Sequence, residues 1–437
     1  MTKARQIHLN YFHHPSGCHE AGWRQVEHQT GHGLELDHLV RIARVCEDAC
    51  FDSLFLGYGY TSSNPGSSDM SLLLDPLIAL AAVSGFTKQI GLIATMSTTF
   101  NQPCDLAARL ATLDHLSGGR AGWNIVTSQT DAEARNFGLD QAPDHDGRYR
   151  RADEFVKVCK KLWDSWQPDA VVADRSAGVF ADLAKVNAID HVGQHYRVQG
   201  PAMLPRSPQR YPLLAQAGSS EAGRAFAAQH ADAMFTIAAS LDAGRNFCAQ
   251  MKQMVAACGR DPDAFVVMPG LSWVLGGTQE EAQKLADELI AGFVVPPGST
   301  GMLSTFLQID LDRHPVDEPV PPLPDVAGFR GGQSRLRAIR DFVEGEARRP
   351  TVRQLAGWFA NQMRGHGLFV GTPEQLADRM QQWFQAGACD GFLLLPPTIP
   401  RDLEGFCDQV VPILQNRGLF RREYQGDNLR ELYGARI

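Results

Sequence analysis

Residues Thr87–Ser128, TKQIGLIATMSTTFNQPCDLAARLATLDHLSGGRAGWNIVTS, decide the fold. Ile90 to Met96 is almost entirely apolar, as expected of a strand covered on both faces. Four leucines then recur at helical spacing, and a second apolar segment follows a Gly-rich turn. Polar residues come directly after both predicted strands, at Ser97–Thr99 and Thr127–Ser128, where parallel α/β folds place their chemistry. The stretch therefore predicts one βαβ unit of a parallel α/β enzyme.

Eight apolar segments along the chain have the character of buried strands, and eight is the number that a (β/α)8 TIM barrel requires. Amphipathic segments lie between them. One begins with Thr372-Pro373-Glu374-Gln375, the pattern of a capping box with proline at the first helical position. We predict a single TIM-barrel domain over residues 1–437, since barrels with insertions reach this length. The predicted strands are Ile7–Phe12, Ser53–Gly57, Ile90–Met96, Trp123–Val126, Leu213–Ala217, Ala233–Ile237, Val266–Leu275 and Gly391–Leu395.

Two segments do not fit the alternation of strands and helices. Residues 174–208 have the pattern of a short additional hairpin, and residues 295–349 are rich in proline and glycine. We predict that both are insertions over the active face of the barrel. The second is predicted to be a mobile lid, with a plain long connection as the alternative.

The charge and the cysteine content exclude several classes of partner. The 437 residues carry 41 Lys and Arg against 49 Asp and Glu, a formal charge of −8. Without a basic run, the sequence argues against a nucleic-acid or anionic-membrane surface. The longest apolar stretches are too short to cross a bilayer, and an apolar leader is absent from the N-terminus. Nine cysteines without framework spacing favour a reducing compartment, so we expect a cytoplasmic protein.

A possible phosphate site lies in residues 212–231, PLLAQAGSSEAGRAFAAQHA. A predicted strand ends near Gly218, Ser219 and Ser220 follow, and an alanine-rich helix begins. The N-terminus of a helix presents free N–H groups and a partial positive charge, so both serines are placed to hold a phosphate. The alternative is that one serine serves only as a helix N-cap.

Nucleotide and hydrolase motifs are absent from the sequence. Gly218 and Gly223 imitate the glycine spacing of a Walker A motif, but Arg224 and Ala225 stand where Lys and Ser or Thr are required. No GxGxxG fingerprint follows a predicted strand, so the sequence does not predict a bound NADH site. It also contains no GxSxG nucleophile elbow.

Imidazole and thiol groups cluster near the N-terminus, at His13, His14, Cys18 and His19. Such groups are zinc ligands in many proteins. Their spacing matches no zinc template, and a second ligand pair is not evident. We therefore predict no metal site.

Two tracts, the first of them inside the opening stretch, carry a resemblance to a known family. HLSGGRAGWNIVTS at His115–Ser128 and HDGRYRRADEF at His145–Phe155 resemble the nitrilotriacetate and dibenzothiophene sulfone monooxygenases, the large oxygenase components of the bacterial luciferase-like superfamily. Similar pieces extend from Gln6 to the C-terminal tail, so the resemblance covers nearly the whole chain. It implies a barrel that binds FMN as FMNH2, activates O2 as a flavin hydroperoxide and oxygenates a small organic substrate.

The resemblance and the missing dinucleotide motif together imply a separate NAD(P)H:FMN reductase as the source of reduced FMN. We also expect a homo-oligomer, either a dimer or a tetramer. Two alternatives stay open at this point: a deazaflavin-dependent dehydrogenase with the same barrel, and a flavin-binding protein that is not an enzyme.

The resemblance also assigns the cofactor site. Without it, His145 and Tyr149 would be ordinary loop residues and Thr95 a small core residue. Asn124 stands in an apolar strand, where an unpaired amide is costly, so a partner is required. In the family the matching residues lie around FMN, near its phosphate, ribityl chain or ring. The implied FMN-binding residues are Thr95, Asn124, His145, Tyr149, Ser219 and Ser220, and the implied catalytic residues are His19 and Asn124.

One position departs from the family pattern. The family usually has FLAD at the end of the second strand, whereas this chain has Phe55-Leu56-Gly57-Tyr58. A tyrosine is bulkier than the acid, neutral, and able to stack or to donate a hydrogen bond. We therefore place Tyr58 in the substrate pocket and expect a flat, largely uncharged substrate, aromatic or containing a heteroatom.

Overall fold

The computed structural model describes residues 5–19, 22–24, 34–60, 73–291, 300–326, 329, 333–361 and 366–435. Its strands are β1 (His8–His13), β2 (Ser53–Leu56), β3 (Gly91–Ser97), β4 (Ala121–Val126), β5 (Val171–Asp174), β6 (Val179–Ala181), β7 (His191–Val192), β8 (Arg197–Val198), β9 (Leu213–Gln216), β10 (Ala233–Thr236), β11 (Val266–Leu275), β12 (Leu368–Gly371) and β13 (Gly391–Leu394).

Eight of these strands close into a parallel barrel. Their order is β1, β2, β3, β4, β9, β10, β11 and β13, and the pairing of β13 with β1 completes the ring. These are the eight strands predicted from the sequence, each within two residues of its predicted ends. The predicted TIM barrel is therefore confirmed.

Helices cover the outside of the barrel. In the described part of the chain, none is long and apolar enough to span a membrane. The capping box at Thr372 is confirmed, because its side chain accepts from the N–H of Gln375 while the Gln375 side chain reaches back. The helices are α1 (Leu36–Asp48), α2 (Pro76–Ser84), α3 (Pro103–Ser117), α4 (Asp131–Asn136), α5 (His145–Trp163), α6 (Glu221–His230), α7 (Leu241–Ala257), α8 (Gln279–Ala291), α9 (Gly301–Leu307), α10 (Gln333–Gly345), α11 (Val352–Asn361), α12 (Pro373–Gln385), α13 (Arg401–Gly405), α14 (Val411–Asn416) and α15 (Leu429–Leu432).

The two predicted insertions contain more structure than the sequence indicated. Residues 171–198 form two antiparallel hairpins, β5–β6 and β7–β8, where one was predicted. Helices α9, α10 and α11 lie in and just beyond the second insertion and bury a small core of their own, with Leu307, Leu336 and Leu355 at its centre. The predicted position over the active face and the predicted lid motion stay predictions.

The barrel interior is apolar in its middle and plugged at its lower end. Phe55 stacks on Phe235 with 4.8 Å between ring centroids, and Phe12 meets Phe55 edge-on. Leu429 and Tyr433, from the segment after α14, join the same interior cluster. Any chemistry inside the barrel is therefore confined to the end above the aromatic rings, where the strands have their carboxyl ends.

Candidate functional site

A buried polar pair lies at the upper end of the barrel. Thr95 on β3 is in register with Asn124 on β4, and both side chains are buried. The Asn124 amide Nδ2 donates to Thr95 Oγ1 at 3.1 Å. Asn124 Oδ1 has no hydrogen-bond partner among the described residues. An unsatisfied buried acceptor destabilises a protein by about 1 to 3 kcal/mol, so this oxygen is suited to receive a donor from a ligand.

A second polar group surrounds the start of α6. The Ser220 hydroxyl accepts from the N–H of Gly223 at 3.1 Å and lies 3.2 Å from His145 Nε2. Tyr149 hydrogen-bonds through its hydroxyl to Ser220 and to Gln216 at the end of β9. Burial raises the pKa of Tyr149, so its phenol is neutral and able to donate. We call this group, with the turn at Gly218, the α6 cradle.

Two glycines let the backbone of the α6 cradle come close to its side chains. A Cβ on Gly218 would lie 2.4 Å from Gln216 Nε2 and 2.5 Å from the Tyr149 hydroxyl. A Cβ on Gly223 would lie 2.6 Å from the carbonyl oxygen of Gly218. Any larger residue would push the turn away from the helix N-terminus, where free N–H groups attract an anion.

The two serines predicted to bind phosphate, Ser219 and Ser220, have different positions at the start of α6. Ser220 is the N-cap of α6, and its hydroxyl also belongs to the cradle, while phosphate binding by either serine stays a prediction. Ser219 is exposed at the turn. Gln216 was missed by the sequence reasoning, although a buried amide at the end of an apolar strand is the same signal that singled out Asn124.

His19 lies across the barrel mouth from the α6 cradle, since β1 and β9 are on opposite sides of the ring. Its loop is fixed to the segment after β13, with the N–H of Cys18 on Pro396 O at 2.8 Å and that of His19 on Pro397 O at 3.1 Å. Burial lowers the pKa of His19 to about 4. The imidazole is therefore neutral near pH 7 and can both donate and accept a hydrogen bond.

His13 lies beside His38. Its ring lies 6.2 Å from that of His38 on α1, and burial lowers its pKa to about 3. Within the described ranges, no group of three or more His, Cys, Asp or Glu residues could hold a metal ion.

Tyr58 belongs to a cluster of rings at the barrel rim. It meets Tyr60 edge-on at 5.0 Å, Tyr60 meets Phe137 at 4.9 Å, and Phe137 stacks on Phe100 at 4.4 Å. We call these four rings the aromatic rim. Gly57, and not Tyr58, approaches the interior, because a Cβ there would lie 2.9 Å from the ring of Phe12. The role of Tyr58 toward a substrate stays a prediction.

Comparisons with known proteins agree with this architecture. Residues 20–390 match the luciferase-like monooxygenase family. The chain is 40% identical to N-acetyl-S-(2-succino)cysteine monooxygenase of Bacillus subtilis (strain 168), covering 99% of this chain and 97% of the relative. It is 38% identical to nitrilotriacetate monooxygenase component A of Aminobacter aminovorans, covering 99% and 97%. The crystal structure of a riboflavin lyase with modified FMN and riboflavin superposes with a TM-score of 0.85 at 32% identity, covering 98% and 96%.

The fold and these matches define the class as flavin-dependent α/β-barrel oxidoreductases. Within that class, the chain belongs to the luciferase-like monooxygenase family. It is a monooxygenase that uses reduced FMN and O2. The resemblance predicted from the sequence is thereby confirmed.

Proposed function

We propose that FMN binds with its phosphate on the α6 cradle and its ring beside Thr95 and Asn124. The observation that carries this proposal is the convergence of His145, Tyr149 and Ser220 on a glycine-lined helix N-terminus. The Asp146 carboxylate lies 3.0 Å from His145 Nδ1 and helps to orient the ring. The unsatisfied Asn124 Oδ1 supports a ligand with an N–H group, as the flavin ring has.

The residues around this site would exclude water and position hydrogen bonds. Bound reduced FMN supplies the electrons that activate O2. Phe12, Phe55 and Phe235 form a dry floor below the site, which strengthens every polar interaction above it. We assign His19 and Asn124 to the reacting oxygen atoms: the neutral imidazole offers one donor and one acceptor without adding a charge.

The substrate is proposed to be a small organic molecule that contains a heteroatom. Support comes from the relatives, whose names give N-acetyl-S-(2-succino)cysteine and nitrilotriacetate as substrates. Tyr58 and the aromatic rim would border its entrance. A substrate panel with reduced FMN, a reductase and oxygen tests this proposal. Turnover with a reduced deazaflavin in the absence of oxygen would contradict it.

We propose that reduced FMN arrives from a separate NAD(P)H:FMN reductase, as the name "component A" of one relative suggests. We also propose a homo-oligomer, a dimer or a tetramer, located in the cytoplasm. Gel filtration with light scattering would give the number of subunits.

The purified chain should not consume oxygen with NADH and FMN alone, because a dinucleotide fingerprint is absent from its sequence. Adding any reductase that releases free reduced FMN should start turnover. An oxygen electrode measures oxygen consumption with and without the reductase. Rapid NADH oxidation by the chain without the reductase would show that the partner is not required.

Removing the hydroxyls of Ser219 and Ser220 together should weaken binding of reduced FMN by about 1 to 3 kcal/mol, since hydrogen bonds to a charged phosphate are strong. Part of any effect could come from loss of the N-cap of α6, which is worth about 1 kcal/mol. Thr372→Ala removes the N-cap of α12 and is the matched control. Unchanged affinity in the double Ser→Ala variant would exclude a role for the hydroxyls.

A further inference from the structure

A second polar site lies where β11 changes its pairing partner. Residues Val266–Pro269 of β11 pair with β10, whereas Ser272–Leu275 pair with β12 along the same edge. At Gly270 and Leu271 the recorded pairing is with β13, on the opposite edge. On this edge of β11 a gap therefore lies between β10 and β12. The gap forms a cavity, which we call the strand fork. Its free space is about 20 Å³.

The inner side of the strand fork carries a hydroxyl and an imidazole. Ser272 is 0% exposed, and its Oγ has no hydrogen-bond partner among the described residues. The ring of His366 lies directly over Gly270, where a Cβ would be 2.0 Å from His366 Nδ1. Glycine at position 270 thus makes room for the imidazole, and both groups line the cavity.

The outer side of the strand fork carries a cation. Arg379 on α12 has its guanidinium 5.8 Å from the ring centroid of Phe369 and 5.7 Å from that of Trp383. Its side chain is exposed, and partial burial lowers the pKa of the guanidinium. The neighbouring acid Asp378 is paired with Arg417 at 2.7 Å. Arg379 thus lines the cavity and forms no ion pair with a carboxylate among the described residues.

The strand fork adjoins the loop that carries His19. Leu368, the first residue of β12, packs against Cys18 and Leu395, and Cys18 precedes His19. The fork therefore adjoins the His19 side of the barrel, whereas the α6 cradle follows β9 on the opposite side of the ring. A group bound at the fork would therefore lie beside the His19 loop and away from the α6 cradle.

We propose that the strand fork binds a carboxylate group of the substrate, which deepens the proposed function and rests on it. A planar guanidinium flanked by aromatic rings matches the two oxygens of a carboxylate, and Ser272 supplies a further donor. Such an anchor would hold the rest of the substrate toward His19. It differs from the neutral aromatic substrate that Tyr58 suggested, because the unpaired charge lies at the fork and not at the aromatic rim.

The test uses the full-length protein loaded with FMN, and it measures the heat of binding by calorimetry as succinate is added. Succinate should bind, whereas succinamide, which has the same shape without the charges, should bind at least about tenfold more weakly. Arg379→Gln should weaken succinate binding about tenfold or more, and Ser272→Ala should weaken it less. Arg353→Gln removes an exposed, ion-paired arginine of α11 and should change nothing.

Binding of FMN, measured in the same samples, separates the two proposals. Unchanged FMN binding in the double Ser→Ala variant, with succinate binding retained, would overturn the hydroxyl contacts of the FMN site alone. Equal binding of succinate and succinamide, or unchanged binding in Arg379→Gln, would overturn the carboxylate site. Inorganic phosphate that binds the fork as tightly as succinate would show a general anion site and would also overturn the assignment. If Arg379→Gln fails to fold, Ser272→Ala provides the test, and unchanged succinate binding in that variant would overturn the carboxylate site.

Discussion

Gly223→Ala is expected to lower kcat/KM for reduced FMN by about 100-fold, the effect of displacing a binding group by about 1 Å. The added methyl would lie 2.6 Å from the Gly218 carbonyl oxygen and 2.9 Å from the Tyr149 hydroxyl, closer than atoms can approach. The turn, the hydroxyl or both must therefore move away from the helix N-terminus. Steady-state rates and a binding titration with reduced FMN measure the effect.

The control for this variant is Gly357→Ala in α11. Nothing lies within 4 Å of the position of its added methyl, so alanine should raise helix stability by about 0.5 to 1 kcal/mol and leave FMN binding unchanged. Both substitutions make the same chemical change inside a helix. If Gly223→Ala bound FMN as well as Gly357→Ala does, the phosphate would not lie on the α6 cradle.

Asp52→Asn is expected to lower the free energy of unfolding by about 3 to 5 kcal/mol, because it leaves a buried arginine without its counter-charge. Asp52 is fully buried and lies 2.7 Å from Arg421 Nη2 and 2.7 Å from His8 Nδ1. Urea denaturation measures the change. Asp378→Asn, which breaks an exposed pair with Arg417, should cost less than about 1 kcal/mol. Equal losses in the two variants would contradict the argument.

The ion pair of Asp52 with Arg421 makes the stability of the protein depend on pH. Burial opposes ionisation of Asp52, but Arg421 and His8 together hold its pKa below the usual value. Its contribution to stability is thus complete above about pH 4, the ordinary pKa of aspartate, and is lost as the pH falls through the lower folded-state pKa. Wild-type stability should fall more steeply below pH 4 than that of Asp52→Asn. Parallel slopes would show that Asp52 is not the responsible group.

The barrel strands could be predicted because each is covered on both faces and is therefore almost entirely apolar. β12 was missed because it lacks that signal: its first three residues are only half-buried, and it pairs with the part of β11 above the ring. The second hairpin was missed for a related reason, since β7 and β8 have two residues each. Such short strands are defined by their partners and carry no periodicity of their own.

The candidate site was only partly visible in the sequence. Asn124 was identified as a polar residue in an apolar strand, and the same rule applied consistently would have found Gln216 and Ser272. The approach of His145 to Ser220, which are 75 positions apart, could come only from the family resemblance or from the structure. The strand fork could not be predicted at all, because it depends on which edge of β11 each neighbour occupies.

The plug at the lower end of the barrel has a consequence for the order in which the protein can fold. Leu429 occupies the space that a side chain on Gly91 would need, and Tyr433 stacks on His8 at 5.0 Å. On the ribosome, β1 to β4 emerge long before these two residues are synthesised. Until then the nascent barrel has an open lower end whose apolar lining is exposed, a condition that favours aggregation and recruits chaperones. Completion of the core is therefore a late event, which follows the synthesis of Leu429 and Tyr433.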